Sequence, residues 1–315
     1  MNIIPVAIAF DEKYLMPACV MLTSLFENAN ETTSYKIYAF IKQETEQLAC
    51  SKFDTIFSLY KNHEYHFIDP KDAFSTTAQN RGHLTTPNYY RFLMPDLLAN
   101  QKKAFWIDVD IIVQEDLLDL YNTDLSENYL AAVPVGNPNA KVSDIPFEKY
   151  YNAGFMLLNL ELWRKDHIAK KINALIKQTE FNCPTQDPCN LITYGKTHYL
   201  PFRYNTLISI KNIENQDVFF EFHKITSFES AVEDSVILHF TDKTKPWLYK
   251  NQPFCEKWNE YYKKSIYKNT PLRLKWLFTE KIKRFLYQKK RTTKKRTIIK
   301  ICKIPIYVER KKTNT

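Results

Sequence analysis

Phe105-Trp106-Ile107-Asp108-Val109-Asp110-Ile111-Ile112-Val113 places two carboxylates inside an otherwise apolar stretch. Lys103 to Ile107 reads as a strand that runs directly into Asp108. Burying two like charges unpaired is strongly unfavourable, so something positive must neutralise them. On an extended segment, side chains at i and i+2 leave from the same side. The two carboxylates can therefore converge on one hard cation, Mn²⁺ or Mg²⁺, that also holds a diphosphate. The end of a parallel strand is also where open α/β sheets bind ligands. A bare D-x-D pattern arises about once by chance in a chain of this length, so other residues must carry the assignment.

On the N-terminal side, Ile3 to Phe10 is a short apolar run followed by Asp11 and a helical pattern through Met16, Val20, Leu25 and Phe26. That predicts a buried strand feeding a helix, with Asp11 near the helix start. Tyr35 to Ile41 and Glu64 to Ile68 predict further strands, separated by a helix over Thr45 to Tyr60, and Tyr89 to Leu98 resumes a helical pattern. On the C-terminal side, strands are expected at Tyr129 to Val133, Gly154 to Leu160 and Ser235 to Phe240. The alternation points to an α/β domain with a mainly parallel central sheet. The chain has only 4 glycines, none in G-x-G-x-x-G or a P-loop. This disfavours a dinucleotide dehydrogenase or a P-loop kinase, which need glycines where backbone amides approach phosphate.

With 315 residues, 44% of them hydrophobic and 15% aromatic, the chain can bury a sizeable core, and wholesale disorder is excluded. Its net charge of +9 is unevenly spread. From Lys263 onward, 19 basic residues face only Glu280 and Glu309, giving +17, whereas the 25 basic and 33 acidic residues before it give −8. An anionic partner is therefore implied for the tail alone. The 6 cysteines are scattered, without C-x-x-C or zinc-site spacing, so the expected compartment is the reducing cytoplasm. Met1 to Phe10 lacks a basic leader and is too short to span a bilayer, and no later apolar run is long enough. Membrane contact is expected to be peripheral.

His239 ends the apparent strand Val236-Ile237-Leu238-His239-Phe240, and Lys245-Pro246-Trp247 follows. A lone histidine among apolar residues more often belongs to a satisfied core. As a metal ligand it would be chemically coherent with Lys245, since metal and ammonium together neutralise a diphosphate leaving group.

These segments join an ordered set: Ala9-Phe10-Asp11-Glu12-Lys13-Tyr14, Tyr90-Arg91-Phe92-Leu93-Met94-Pro95, Trp106-Ile107-Asp108-Val109-Asp110, Leu120-Tyr121-Asn122-Thr123-Asp124-Leu125, Tyr151-Asn152-Ala153-Gly154-Phe155-Met156-Leu157-Leu158-Asn159-Leu160, Gln186-Asp187-Pro188-Cys189-Asn190 and His239-Phe240-Thr241-Asp242-Lys243-Thr244-Lys245-Pro246-Trp247. Each motif is weak alone. In this order, from Ile3 to Trp247, the chain resembles glycosyltransferase family 8, particularly its bacterial lipooligosaccharide and lipopolysaccharide galactosyl- and glucosyltransferases, and more distantly glycogenin. The resemblance implies a GT-A fold, a UDP-sugar donor (UDP-galactose or UDP-glucose), Mn²⁺ dependence with Mg²⁺ as the alternative, and retention of anomeric configuration. It implies Asp108, Asp110 and His239 as metal ligands, and Gln186 and Arg91 as residues at the reacting sugar. Its donor site takes in Ala9, Asp11, Tyr14, Arg91, Asp108, Val109, Asn152, Ala153, Thr185, Gln186, His239 and Lys245.

Structural roles compete for several of these positions. Asp11 also suits a helix cap, Arg91 an ion pair, Asn152-Ala153-Gly154 a turn that needs glycine for its backbone, and Lys245 a solvated surface site. Three residues depart from the family pattern: Thr185 stands where an Asp is usual before the Gln-Asp pair, Asp242 where a glycine is usual, and Lys13 where an Asn is usual. Asp242 puts a negative charge near an anionic ligand unless its side chain turns away.

In the tail, Leu274, Phe278, Ile282 and Phe285 follow helical spacing between Leu272 and Leu286, with Arg273, Lys275, Lys281, Lys283 and Arg284 interspersed. A basic amphipathic helix with Trp276 and phenylalanines reads as an interfacial anchor, continued by the basic run Lys289 to Lys303. The expected partition is a catalytic domain over 1–262 and a basic membrane-association region over 263–315. The enzyme would then sit on the inner face of the cytoplasmic membrane beside a saccharide or glycolipid acceptor. A nucleic-acid partner is not expected, because the tail aromatics follow a helical face and form no stacking platform. A glycogenin-like self-glucosylating protein is the rival enzyme.

Overall fold

Alternation along the strands sets the two faces of the molecule. In β1 (Asn2–Ala9), Ile4, Val6 and Ile8 enter one core cluster and Ala7 the other. In β4 (Lys103–Ile107), Phe105 and Ile107 face the first cluster while Ala104 and Trp106 face the second. In β7 (Tyr151–Asn159), Phe155 and Leu157 oppose Met156 and Leu158 in the same way. Strands apolar on both faces must be covered on both, which gives a three-layer α/β arrangement. The computed structural model describes residues 1–75, 85–140, 142–209 and 214–276, and the backbone of three strands between residues 288 and 309.

The remaining strands of the body are β2 (Thr33–Phe40), β3 (Glu64–Ile68), β5 (Ile111–Val113), β6 (Leu130–Pro134), β8 (Thr197–Tyr199), β9 (Thr206–Leu207) and β10 (Ile237–His239). The main sheet has seven strands in the order β3-β2-β1-β4-β7-β6-β8. Pairing is parallel from β3 through β4 and between β6 and β8, while β7 runs antiparallel to both neighbours. The chain leaves β1 toward β2 and β3 and then returns to its other side with β4. The carboxyl ends of β1 and β4 therefore flank a topological switch point, where open α/β sheets form a ligand crevice.

Asp108-Val109-Asp110 does not continue β4 as an extended segment. It forms a turn between β4 and β5. β5 leaves the main sheet and pairs antiparallel with β10, which pairs parallel with β9. The turn is held at both ends: Asp108 N–H donates to the Gly154 carbonyl at 2.8 Å, and Phe240 N–H donates to the Asp110 carbonyl at 2.9 Å. The carboxylates converge because the triplet bridges two sheets, and the i, i+2 argument from strand geometry does not apply. Tyr89 to Leu98 likewise divides into a 3-10 segment, Thr86–Leu93, and a short α-helix, Met94–Leu97.

Helix Cys255–Lys264 closes the body beneath the last motif, with Trp258 packed on Trp247 and stacked on Tyr262. Residues 265–276 stay on that body: Lys275 exchanges backbone hydrogen bonds with Leu248 and Lys250, and Leu272 packs at the edge of the core. Leu272 to Trp276 therefore begins as extended chain and not as the amphipathic helix its spacing predicts. The rest of that helix, 277–287, lies outside the described residues. Beyond it, β11 (Gln288–Thr292), β12 (Arg296–Ile301) and β13 (Ile304–Glu309) pair antiparallel as a separate sheet. These strands lie beyond the expected helix, and they are in keeping with the β-branched run Thr297-Ile298-Ile299 and with Ile301, Ile304, Ile306 and Val308.

Candidate active site

The turn after β4 and the end of β10 bring together Asp108, Asp110 and His239, with one ligand atom from each lying within 4.8 Å of the others. His239 Nε2 is 3.1 Å from Asp110 Oδ1, and Lys245 Nζ is 2.6 Å from Asp110 Oδ2. Lys245 is only 3% exposed and also donates to the Phe240 carbonyl at 2.7 Å, so it is no solvated surface lysine. Asp108 Oδ1 accepts from Trp106 Nε1 at 2.7 Å and from Arg91 at 3.1 Å. Burial raises the pKa of Asp108, opposed by Arg91 and reinforced by Asp110. Burial acts in the same direction on Asp110, but Lys245 and His239 outweigh it and hold that carboxyl well below the usual carboxylate range.

Arg91 is buried and tied on every side. Its Nε donates to the Asn88 carbonyl at 2.8 Å, another nitrogen donates to the Ala153 carbonyl, and the guanidinium lies 4.8 Å from the centre of the Trp106 ring. The ion pair with Asp108 and the contact with the Ala153 backbone coexist, so its structural and site roles are not alternatives.

Beside the carboxylates runs a line of amides. Gln186 Oε1 accepts from Asn152 Nδ2 at 3.1 Å and from Ala153 N–H at 3.2 Å. Asn152 Oδ1 accepts from Gly154 N–H and from Asn205 Nδ2, both at 3.0 Å, and Asn205 Oδ1 lies 2.9 Å from His239 Nδ1. Gly154 sits in β7 and is required by space, not by a turn. A Cβ there would stand 2.3 Å from His239 Cε1 and 2.8 Å from Asp108 Oδ2.

Two openings flank the cluster. One is lined by Ala9, Asp11, Tyr14, Val109, Lys245 and both carboxylates, joined by Phe10, Thr85, Pro87, Asn88 and Trp106. Asp11 both lines it and caps the 3-10 turn Glu12–Tyr14, accepting Lys13 N–H at 3.0 Å. Tyr14 packs edge-on against Trp247, and its hydroxyl is pushed up to about 12, first by burial and then by Asp110, Asp11 and Asp108. The second opening lies along the amide line and is bordered by Asn137, Asn139, Asn152, Asn182 and Gln186 with Ser209 and Thr241. Thr185 is buried and lines neither opening. Asp187 instead fixes the loop before Gln186, accepting from the Tyr150 hydroxyl at 2.5 Å and from Cys183 N–H at 2.8 Å.

Asp242 is exposed and has φ of 74°, the left-handed region where a glycine is easiest and an Asp is tolerated. Its carboxylate accepts its neighbour Lys243 N–H at 2.7 Å. The departure from glycine is accommodated by backbone and hydrogen bond alike. Thr85, Pro87, Asn88 and Asn205 had no signal of their own in the sequence, although the Pro after Thr85 and the polar residue three positions on are the marks of the capping box that forms there.

The donor set fits a divalent cation. Two carboxylates and an imidazole are hard to borderline ligands, and the missing Cβ at Gly154 leaves room for them to face one another. Among the described residues, no helix is long and apolar enough to cross a membrane.

The profile described as "Glycosyl transferase family 8" matches residues 5–251. The chain is 28% identical over 302 residues to lipopolysaccharide 1,2-glucosyltransferase of Escherichia coli, covering 89% of this chain and 85% of that protein. It is 23% identical over 257 residues to lipopolysaccharide 1,3-galactosyltransferase of Salmonella typhimurium, covering 77% and 72%. Its fold matches the bifunctional glycosyltransferase WbbM with a TM-score of 0.71 at 20% identity, over 85% of this chain and 51% of that one. It also matches the galactosyltransferase LgtC, solved with donor and acceptor sugar analogs, with a TM-score of 0.64 at 19% identity, over 84% and 96%. The architecture is therefore GT-A.

Proposed function

The chain belongs to glycosyltransferase family 8, and on that premise we propose that it transfers galactose or glucose from a UDP-sugar to a saccharide acceptor, with retention of anomeric configuration. The observation that carries this is the Asp108, Asp110 and His239 cluster with Lys245, which borders the first opening and is joined through Asn205 to the amides Asn152 and Gln186. The first opening would take the nucleotide, with Asp11, Tyr14, Ala9 and Val109 around the uridine. Asp108, Asp110 and His239 would hold Mn²⁺, or alternatively Mg²⁺, which when bound offsets the charge that develops on the departing diphosphate.

Lys245 adds a second positive charge on the same side, and Arg91 holds Asp108 and the Ala153 backbone in register with it. The acceptor hydroxyl attacks on the face that the diphosphate leaves, through an oxocarbenium-like transition state. Gln186 is a poor nucleophile as an amide, and its Oε1 is already engaged by Asn152 and Ala153. Its role is to position the sugar. Two relatives are named as lipopolysaccharide glycosyltransferases, which favours an acceptor in lipopolysaccharide or another surface glycan. The basic tail would hold the enzyme at the anionic inner face of the cytoplasmic membrane, near such an acceptor.

A panel of UDP-sugars with Mn²⁺, followed by UDP release, tests the reading. Turnover of one hexose donor above the others is expected, with Asp108→Asn and Asp110→Asn folded and inactive. Full transfer by either variant would overturn the metal assignment.

A further inference from the structure

Asn205 is fully buried at the end of a short 3-10 turn, Phe202–Asn205, and its side chain touches both halves of the site. The direction of every hydrogen bond around it follows from one backbone group that cannot be reversed. Gly154 N–H must donate, so the atom of Asn152 that faces it is the carbonyl oxygen, Oδ1. Asn205 meets that same oxygen and so presents its amide nitrogen to it. Its own Oδ1 is then left for His239 Nδ1 at 2.9 Å, which must carry the hydrogen. Nε2, the nitrogen that faces Asp110, becomes the one free to ligate. Ala153 N–H fixes the far end independently by setting Gln186 Oε1.

We infer that Asn205 is a positioning residue which holds His239 in the Nδ1–H tautomer, so that Nε2 is its ligating atom, and which links the metal side of the site to the sugar-side amides Asn152 and Gln186. The inference rests on His239 being a metal ligand, as proposed above. Metal-bound histidines owe their orientation to the acceptor on their other nitrogen, and losing it weakens metal binding by roughly 10- to 100-fold. In this chain that acceptor is an amide, whose second arm reaches Asn152. A carboxylate in its place would satisfy the histidine but face the Asn152 oxygen with no hydrogen to give.

The experiment combines a tautomer measurement with metal titration. In long-range ¹H–¹⁵N spectra of the metal-free wild-type chain, His239 Nδ1 is expected to carry a hydrogen, whether or not Nε2, which faces the Asp110 carboxylate, carries one as well. A bare Nδ1, with no hydrogen to give Asn205, would overturn the inference with no variant needed. Mn²⁺ titration by calorimetry should show Asn205→Ala weakened by roughly 10- to 100-fold, and Asn205→Asp at or above wild type. UDP release should stay impaired in Asn205→Asp, because Asn152 has lost its donor. Wild-type Mn²⁺ affinity in folded Asn205→Ala, or equal loss in both variants, would overturn it. If the wild-type chain binds no divalent cation, the metal reading fails, whereas the tautomer in the metal-free protein still decides the role of Asn205.

Discussion

A Cβ on Gly154 would overlap both His239 and Asp108, so Gly154→Ala must push one ligand away from the cluster. Mn²⁺ affinity should fall by roughly tenfold or more while circular dichroism stays that of the native fold, since β7 tolerates alanine elsewhere, at Ala153. Unchanged affinity would show that the ligands do not need that space. Lys245 makes the opposite prediction. Its ammonium occupies Asp110 Oδ2 at 2.6 Å, a position a cation would want, so Lys245→Met should bind Mn²⁺ at least as tightly as wild type. UDP release should nonetheless drop by roughly 100-fold, the scale of removing one leaving-group stabiliser. Parallel loss of metal binding would mean that Lys245 acts by holding Asp110. Asp108 and Asp110 were legible in the sequence because charged groups inside an apolar run demand a partner, whereas His239 and Lys245 were legible only through the ordered motifs shared with the family. Asn205 was not, because Arg203-Tyr204-Asn205-Thr206 reads as ordinary loop and only the fold brings it to His239, 34 positions away.

His63 joins the first helix to the edge of the sheet. Its ring stacks on Phe26 with centroids 4.1 Å apart, and Nδ1 accepts Tyr35 N–H at 3.0 Å. Burial holds His63 down at about 4, and His223, packed beneath Gly136, is also held at about 4. Both folded values lie below the unfolded value of about 6.5. The neutral rings therefore contribute stability that is fully present above about pH 6.5 and is lost as pH falls toward 4. The loss is on the order of 2 kcal/mol for His223 by pH 4, and smaller for the more solvent-screened His63. Thermal midpoints should drop across that window, and His63→Gln should be less stable at neutral pH with a shallower decline. An identical slope would remove His63 from the account. Strand alternation made the main sheet readable, since β1, β4 and β7 each carry apolar residues on both faces. It could not show that β5 departs to join β9 and β10, because a short apolar run looks the same in either sheet. That departure turns Asp108-Val109-Asp110 into a corner.

Charge divides the molecule near Lys263, whereas packing divides it later. Ser265 is buried against Tyr262, Tyr267 and Leu272 pack at the core edge, and Lys275 pairs with the chain at Leu248 and Lys250. The body therefore keeps residues through 276, and the +17 assigned to the tail includes charges seated on the catalytic unit. Two truncations separate these functions. Ending the chain after Tyr262 cuts helix Cys255–Lys264 and strips the Tyr267 and Leu272 contacts. It should cost about 3 kcal/mol or more, seen as a lower unfolding midpoint and reduced UDP release. Ending it after Trp276 should leave both unchanged with a soluble acceptor, because the body keeps its packing, yet abolish flotation with anionic liposomes. Raising salt should weaken flotation of the full chain in the same assay, as surface charges are screened. Flotation retained after truncation at Trp276 would move the membrane contact onto the body, where Leu248 and Trp276 are exposed beside Lys250.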